Sequence, residues 1–485
     1  MTKEKSMKQN FKRLINASIG LLGLLFSIHI YASIDNWFEQ FKKEASDQAL
    51  YKFLYLMPKG GDLHNHLSGS SYGEWWYQAA LEQKENGYSY FTKVQIENCR
   101  DYGSNAFGQD PYFLLFRTIS KITYDDLTDC EQNEYKPLAE LTDRQKQAWI
   151  NSIQLDKLHE GRDEFFQKHW QRLNELTANP YLTADLLVKN MQAFADEGLL
   201  YLETQVGAFG YLKPDGTVFS PEQTATIFRA RLNQPDAKRT RVTVRLQGAI
   251  LRFAPGAERY LKDVYHWVYE NSDLWVAVNM VGREDNDKGY PLRFLPTLRE
   301  LRKTLPGVKL AIHAGEVDEP NHHVRDTLLL GADRIGHGLN LITDPEALLL
   351  MRHGPYLVEI NLISNFLLEY VNDYSQHPFP EYLRTGIPVA LSTDDRGMWD
   401  SNLTDEFFVA VKEFNLTWQE LQLLHRNSIN YAFIDEPTKT KLLTQFEKNT
   451  KEFIAEVINS NQWRKEKIEQ PRGFICRQYS LCKVD

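Results

Sequence analysis

The chain of 485 residues has few basic residues relative to acidic ones, with 56 Lys and Arg against 65 Asp and Glu and a formal net charge of −9. It also has no fixed-period repeat and no low-complexity tract, which argues against a solenoid or a disordered protein. Binding to nucleic acid needs a basic surface, so the acidic balance argues against a nucleic-acid partner. A hydrophobic fraction of 42% is ordinary for a globular protein. We expect a small, neutral or cationic molecule as the partner.

The N-terminal segment has the composition of a secretory signal peptide. Basic residues come first, Leu14 to Tyr31 is then apolar, and Ala32 precedes the predicted cleavage point. An uncleaved membrane anchor is the alternative, because the apolar run has about the minimum length of a membrane span. Cleavage of residues 1–32 removes five basic residues and one acidic residue, so the net charge moves from −9 to −13. The sequence predicts an exported protein, periplasmic or secreted, with no membrane contact after cleavage.

Only four cysteines are present, in two local pairs. Neither pair has the spacing of a zinc finger. Cysteines of exported proteins are commonly oxidised, so we expect two short-range disulfides, with four free thiols as the alternative. The expected pairs are Cys99 with Cys130 and Cys476 with Cys482.

Short apolar strands alternate with helical segments from Ala184 onward, which predicts an α/β fold. One further strand, earlier in the chain, carries His64 and His66, and the total of eight predicts a (β/α)8 TIM barrel. An open doubly wound sheet is the alternative, although no glycine-rich dinucleotide fingerprint follows the first strand. The other seven predicted strands are Leu199 to Val206, Val242 to Ile250, Leu274 to Val281, Val308 to Ile312, Arg334 to Ile335, Leu357 to Ile360 and Val389 to Leu391.

The remaining segments complete one predicted barrel domain, residues 33–485. Trp37 to Leu56 is an amphipathic helical stretch. Residues from about 82 to 180 have a mostly helical or irregular pattern, which indicates an insertion after the first strand. Residues after about Leu403 are predicted to be helical.

Polar clusters follow four of the predicted strands, and in a barrel such clusters meet at the carboxyl ends of the strands. His64 and His66 are two residues apart, so their imidazoles point to the same side of an extended chain. The other three clusters are His313-Ala-Gly-Glu316, Arg334-Ile-Gly-His337-Gly338 and Ser392-Thr-Asp394-Asp395. Each cluster taken alone has an ordinary structural explanation, such as a buried histidine or a helix cap. Four in this arrangement predict an active site.

These clusters contain the ligand types that zinc prefers, imidazole nitrogen and carboxylate oxygen. A divalent cation lowers the pKa of a bound water toward 7. Glu316 and His337 then remain for proton transfer, which suits hydrolysis that releases ammonia. The remaining histidines do not follow predicted strands and are expected to be structural or on the surface. The four candidate ligands of one Zn²⁺ are His64, His66, His313 and Asp394.

These motifs resemble, in order, the signatures of the adenosine deaminase family of metal-dependent barrel hydrolases. The resemblance runs from about Met57-Pro-Lys-Gly-Gly-Asp-Leu to Phe433. It implies that the four candidate ligands bind zinc, that Glu316 protonates N1 of the purine, and that His337 orients or deprotonates the attacking water. It also implies that Asp395 hydrogen-bonds N7, and that the backbone N–H of Gly282 meets N3.

The signal peptide and the insertion with its cysteine pair are similar to the secreted, growth-factor-like branch of the family, which raises the possibility of a homodimer. The segment before Leu56 is shorter than the dimerisation segment of that branch. Ser68 stands where typical members have an acidic residue that contacts the ribose, so a nucleoside and a free base both stay open as substrates. Arg396 stands where a proline usually follows the paired aspartates.

The sequence therefore predicts an exported, zinc-dependent deaminase of adenosine and 2′-deoxyadenosine. The alternatives are a deaminase of another 6-aminopurine, such as adenine or a modified adenosine, and a secreted binding protein without activity on the same fold. A two-metal amidohydrolase is disfavoured, because no lysine occupies a central strand end.

Overall fold

The computed structural model describes residues 34–97, 99, 117–157, 159–284, 287–317, 319 and 321–482. The predicted signal peptide, residues 1–32, lies outside these residues. Within the described ranges, no helix combines the length and the apolar character that a membrane span requires.

Eight parallel strands follow one another in a single sheet and form the predicted (β/α)8 barrel. Most positions in these strands are buried on both faces, which is why the strands read in the sequence as short apolar runs. The strands are β1 (Lys59–Asp62), β2 (Leu199–Gln205), β3 (Thr243–Leu251), β4 (Trp275–Val281), β5 (Lys309–Ala314), β6 (Arg334–His337), β7 (Leu357–Ile360) and β8 (Val389–Leu391).

The seven predicted strands from β2 onward are confirmed, with only small differences at their ends. The prediction for the first strand was wrong in one respect, because β1 ends at Asp62 and the two histidines lie after it. Beyond β1 the regular ladder gives way to single bridges, from Asn65 to Asp394 and from His66 to Gln205. His64 and His66 therefore lie at the mouth of the barrel rather than within its wall.

Two consecutive glycines in β1 allow a helix to pack directly on the strand. A side chain at Gly60 would come 2.2 Å from the carbonyl oxygen of His425, which belongs to helix Trp418–Asn430. The backbone N–H of Gly61 donates to Ser428 Oγ of the same helix at 2.7 Å. The glycine pair is therefore a packing requirement of the barrel.

Helices surround the barrel and follow each strand from β2 onward. The segment after β8 is helical, as predicted. The helices between β1 and β2 are Leu67–Ser70, Gly73–Glu82, Lys121–Asp125, Asp129–Asn133, Asp143–Asn151, Arg162–Glu164, the π-helix Phe165–His169, Trp170–Leu173 and Pro180–Asp196. Those that follow are Pro221–Leu232, Pro235–Arg239, Ala257–Glu270, Leu295–Thr304, His323–Leu330, Pro345–His353, Leu362–Leu367, Phe379–Thr385, Arg396–Trp399, Leu403–Phe414, Trp418–Asn430, Glu436–Asn459 and Gly473–Tyr479.

The segment between β1 and β2 also contains a small antiparallel sheet that the sequence pattern did not predict. Its strands are Tyr90–Lys93, Thr118–Ser120 and Tyr135–Pro137, each too short to show an alternating pattern. Both predicted disulfides are present, Cys99 with Cys130 and Cys476 with Cys482. The predicted limits of the insertion, about residues 82 to 180, and of the domain, residues 33–485, stay predictions.

The N-terminal helical stretch is broken into two helices, residues 34–44 and Asp47–Leu56, where a single stretch was predicted. The break follows from Ser46, whose side chain accepts a hydrogen bond from the backbone N–H of Ala49 and begins a new helix. Phe53 in the second helix is fully buried. Its ring lies within 6.0 Å of six other aromatic rings, those of Trp37, Phe38, Phe41, Trp418, Phe453 and Trp463.

Phe53→Ala is expected to lower the free energy of unfolding by about 3 to 5 kcal/mol, because it leaves a cavity where N-terminal and C-terminal helices meet. Leu349→Ala is the control, since Leu349 is 58% exposed, and its effect should be within about 0.5 kcal/mol. Chemical denaturation followed by circular dichroism measures both changes. Equal effects of the two substitutions would contradict the assignment of Phe53 to the core.

Candidate active site

The candidate site forms where the segments after β1 and β8 meet. The backbone N–H of Asp394 donates to the carbonyl oxygen of His64 at 2.9 Å, and the N–H of His66 donates to the carbonyl oxygen of Asp394 at 3.2 Å. Asp394 has a φ of 53°, a left-handed conformation that non-glycine residues rarely adopt. These contacts bring two predicted histidine ligands and the predicted carboxylate ligand together.

The side chains of the four predicted zinc ligands converge. His66 Nε2 lies 3.1 Å from Asp394 Oδ1 and 3.2 Å from His313 Nε2, and His64 Nε2 lies 3.4 Å from Asp394 Oδ1. His64 Nε2 and Asp394 Oδ1 are both buried without a hydrogen-bond partner. Buried polar atoms are normally paired, so these atoms fit a site whose partner is a cation.

Hydrogen bonds at Nδ1 of two of these histidines fix the tautomer of each ring. His64 Nδ1 lies 2.7 Å from Glu359 Oε2, and His313 Nδ1 lies 2.9 Å from Asn279 Oδ1. Both partners are oxygen acceptors, so each Nδ1 carries the hydrogen and each Nε2 keeps its lone pair toward the site. This is the usual arrangement of metal-binding histidines. The donor set fits Zn²⁺.

The cluster Arg334-Ile-Gly-His337-Gly338 packs against His64 and pairs with the carboxylate that holds it. A side chain at Gly336 would come 2.7 Å from His64 Cε1, so only glycine leaves room for that imidazole. Arg334 Nε donates to Glu359 Oε1 at 2.6 Å, and Arg334 also pairs with Glu203. The guanidinium therefore neutralises the carboxylate that holds His64.

Glu316 is buried in the site, and the side chain of Glu284 holds its backbone in place. The carboxylate of Glu284 accepts from the backbone N–H groups of Gly315 and Glu316, each at 2.9 Å. Burial raises the pKa of Glu316 well above its ordinary value, and the neighbouring Asp394 and Glu284 raise it further. Glu316 is thus suited to carry a proton at neutral pH.

His337 faces Glu316, with Nε2 at 3.6 Å from Glu316 Oε2. Burial lowers the pKa of His337 well below its ordinary value, and the neighbouring His64 lowers it further, so the ring is neutral. Burial also raises the pKa of Asp395, with a further contribution from Asp394. A protonated Asp395 can donate a hydrogen bond, which recognition of a ring nitrogen such as N7 requires.

These groups lie on the floor of a cavity of about 420 Å³, a size typical of small-molecule sites. Gly282 lines the cavity, as predicted, and has a φ of 93°, which favours glycine. Ser68 is not among the lining residues, because the chain turns into helix Leu67–Ser70 directly after His66. The predicted contact of Ser68 with substrate therefore has no support from the cavity.

One wall of the cavity comes from the segment between β1 and β2, which the sequence prediction did not include in the site. It consists of the π-helix Phe165–His169 and the start of the following helix, Trp170–Leu173. The Trp170 ring lies 6.3 Å from that of His66. In the sequence these aromatic residues are indistinguishable from core residues. The opposite wall contains Leu251, Phe253 and Val281, and the insertion wall contains Phe165, Phe166, Gln167, Trp170 and Gln171.

The supporting residues Asn279, Glu284 and Glu359 were also missed. Asn279 and Glu359 are polar residues inside apolar strands, β4 and β7. A buried polar residue in such a strand needs a partner, and that signal was present in the sequence.

The family model for adenosine deaminase matches residues 135–449. This range is well over half of the chain. The chain belongs to the adenosine deaminase family. The matched range includes His313, Glu316, His337 and Asp394 and begins after His64 and His66.

Known relatives differ in what they are named for. An adenosine deaminase of Clostridium perfringens is 36% identical over 168 residues, which is 34% of this chain and 49% of that protein. The match thus spans about half the length of that relative. An N6-methyl-AMP deaminase of Bos taurus is 26% identical over 279 residues, 56% of this chain and 78% of that protein.

Solved structures share the fold of this adenosine deaminase family member. Arabidopsis ADAL complexed with GMP has a TM-score of 0.60 at 19% identity, covering 82% of this chain and 99% of the other. Adenine deaminase from Arthrobacter aurescens has a TM-score of 0.57 at 17% identity, covering 83% and 100%. Membership of the growth-factor-like branch stays a prediction.

Glu359→Gln is expected to weaken Zn²⁺ binding by about 10- to 100-fold, because a neutral amide polarises His64 less than a carboxylate does. Competition with a chromophoric chelator measures the affinity without any assay of activity. The same substitution at Glu346, whose side chain is 84% exposed, is the control and should leave the affinity unchanged. An unchanged affinity in Glu359→Gln would contradict the proposed role of this pair.

Proposed function

We propose that this protein is an exported, zinc-dependent deaminase that converts adenosine or 2′-deoxyadenosine to inosine or deoxyinosine and ammonia. The observation that carries the proposal is the convergence of four metal-ligand side chains beside a cavity that Glu316, a buried acid, also lines. A binding protein has no need for this combination.

The proposed reaction consumes one water and releases one ammonia. His64, His66, His313 and Asp394 would hold the zinc ion, which would supply a water molecule whose pKa is lowered toward 7. Glu316 gives its proton to N1 of the purine as the water oxygen bonds to C6, and the hydrogen on His337 Nε2 orients that oxygen. One hydrogen of the water returns Glu316 to its protonated form and the other passes to N6. The C6–N6 bond then breaks, ammonia leaves, and C6 keeps the oxygen as a carbonyl.

Recognition of the purine base is assigned to two further groups. The protonated carboxyl group of Asp395 donates to N7, in keeping with its raised pKa. The backbone N–H of Gly282 donates to N3. Gln167 and Gln171 on the insertion wall supply amides that suit ribose hydroxyls. They take the role of the acidic residue that typical family members have at the position of Ser68.

The charge of the cavity favours a substrate without a phosphate. Among the described lining residues, Arg283 is the one arginine or lysine side chain. Its Nη1 donates to Asp163 Oδ1 at 2.7 Å, so part of its charge is already balanced. A phosphate group usually needs more positive charge than this pair offers.

A second candidate substrate is a modified adenine nucleotide. The relative from Bos taurus is named an N6-methyl-AMP deaminase, and Arg283 lies where it could meet a phosphate if its contact with Asp163 opened. On such a substrate the same chemistry would release methylamine instead of ammonia.

Export is supported by two features of the chain. The first 32 residues have the composition of a signal peptide. The two disulfides are typical of proteins in an oxidising compartment.

Glu316→Gln is expected to lower kcat for adenosine by about 10²- to 10⁴-fold, because the amide cannot give a proton to N1. Zinc content and the circular dichroism spectrum should be unchanged. Ammonia release by purified protein loaded with zinc measures the rate, and Glu346→Gln is the control with the same change on the surface. If the unsubstituted enzyme releases no ammonia from adenosine, deoxyadenosine or adenine, the proposed function is wrong.

Arg283→Gln separates the two candidate substrates. For a neutral nucleoside the expected change in KM is less than about threefold, since no charge on the substrate needs the guanidinium. For N6-methyl-AMP the same substitution should raise KM by about 10-fold or more, because a charge-assisted hydrogen bond is lost. Arg239→Gln, at an exposed position, is the control. Methylamine release from N6-methyl-AMP that exceeds ammonia release from adenosine would favour the nucleotide.

A further inference from the structure

A buried chain of hydrogen bonds ends at Nδ1 of His337, on the side of the ring that faces away from the cavity. Asn365 Nδ2 lies 2.9 Å from His337 Nδ1, and His377 Nε2 lies 3.1 Å from Asn365 Oδ1. The backbone N–H of Phe379 donates to His377 Nδ1 at 3.1 Å. All three side chains are at most 2% exposed, so water does not compete for these contacts.

The backbone donor at Phe379 sets the direction of the whole chain. Because a backbone N–H can only donate, His377 Nδ1 must accept, and the ring hydrogen of neutral His377 is then on Nε2. That hydrogen fixes the oxygen of the Asn365 amide toward His377 and its nitrogen toward His337. Nδ1 of His337 therefore accepts, and its hydrogen lies on Nε2, inside the cavity. Burial lowers the pKa of His377 to about 3, which agrees with a neutral ring.

Asn361 is the other amide near His337 and does not compete for Nδ1. In the orientation that satisfies both atoms of the amide, its nitrogen donates to the carbonyl oxygens of Ile360 and Ser392, each at 3.2 Å. The amide oxygen of Asn361 then lies 3.4 Å from His337 Nδ1, farther than the nitrogen of Asn365. Asn365 is thus the donor that determines the state of His337.

We propose that Asn365 and His377 are positioning residues that hold His337 with its hydrogen on Nε2. His64 and His313 have the opposite pattern, since their Nδ1 atoms face oxygen acceptors and their Nε2 atoms keep lone pairs for a metal. A ring nitrogen of His337 lies within 4.8 Å of ligand atoms of His64, His313 and Asp394, but its Nε2 presents a hydrogen and does not bind the ion. The role of that hydrogen in turnover rests on the proposed function, but its location does not.

Asn365→Asp tests the proposal in the enzyme, because the carboxylate has nearly the same shape but no N–H to donate. His337 Nδ1 must then carry a hydrogen, and in the neutral ring Nε2 loses it. We expect kcat for adenosine to fall by about 10²-fold or more while KM stays within about threefold. Asn459→Asp makes the same change at an exposed helix position and should leave kcat unchanged. An unchanged kcat in Asn365→Asp would overturn the proposal.

A pair of substitutions at His377 separates positioning from packing. Gln at this position keeps an N–H for Asn365 Oδ1, whereas Leu removes it at similar volume. We expect His377→Gln to retain most of kcat and His377→Leu to lose about 10-fold or more. Equal losses in both, with equal losses of stability, would assign His377 to packing alone and overturn its part of the proposal.

The location of the hydrogen can be measured without turnover. Long-range ¹H–¹⁵N correlation spectra of the full-length protein with ¹⁵N-labelled histidine distinguish a protonated Nε2 from a protonated Nδ1, and His337→Asn identifies the resonances. We expect a protonated Nε2 in the unsubstituted protein and a protonated Nδ1 in Asn365→Asp. A protonated Nδ1 in the unsubstituted protein overturns the proposal. A protonated Nε2 without ammonia release supports the positioning role and refutes only the proposed function.

Discussion

The site depends on the contact between the first and last segments of the barrel. The strands β1 and β8 do not form a regular ladder, and backbone hydrogen bonds from His66 and Asp394 join the segments that follow them. Closure of the barrel and assembly of the ligand set are thus one event. A chain that closed in another register would separate His64 and His66 from Asp394, because a shift by one residue reverses the direction of side chains.

The interior of the barrel must neutralise the charges that the site requires. Arg334 is fully buried between Glu203 and Glu359, and Glu359 in turn holds His64. Removal of one partner from such a group leaves an uncompensated buried charge, which costs about 3 to 5 kcal/mol. The charged residues inside the apolar strands therefore balance one another, and this balance allows imidazoles and carboxyl groups to be buried side by side.

The sequence was sufficient to predict the barrel and the residues that converge, because parallel strands deliver their following residues to one end of the fold. His313, Glu316, His337 and Asp394 could be found in this way. The end of β1 was not predictable, because it depends on single bridges formed with Gln205 and Asp394. The wall from residues 165–171 was also missed, since a local pattern does not tell whether an aromatic ring faces the core or a cavity.

The groups proposed for catalysis and one wall of the cavity consequently lie on different parts of the chain. The strand ends supply the proposed metal ligands and Glu316, whereas the insertion supplies the aromatic side chains and the amides of Gln167 and Gln171 that line the cavity. The ion pair between Asp163 and Arg283 joins the insertion to the segment after β4. A change in the insertion can therefore alter this wall of the cavity without moving a group at a strand end. Family relatives are named for adenosine and for N6-methyl-AMP, and one fold can carry sites for different substrates because the groups that contact a substrate can change while the fold stays.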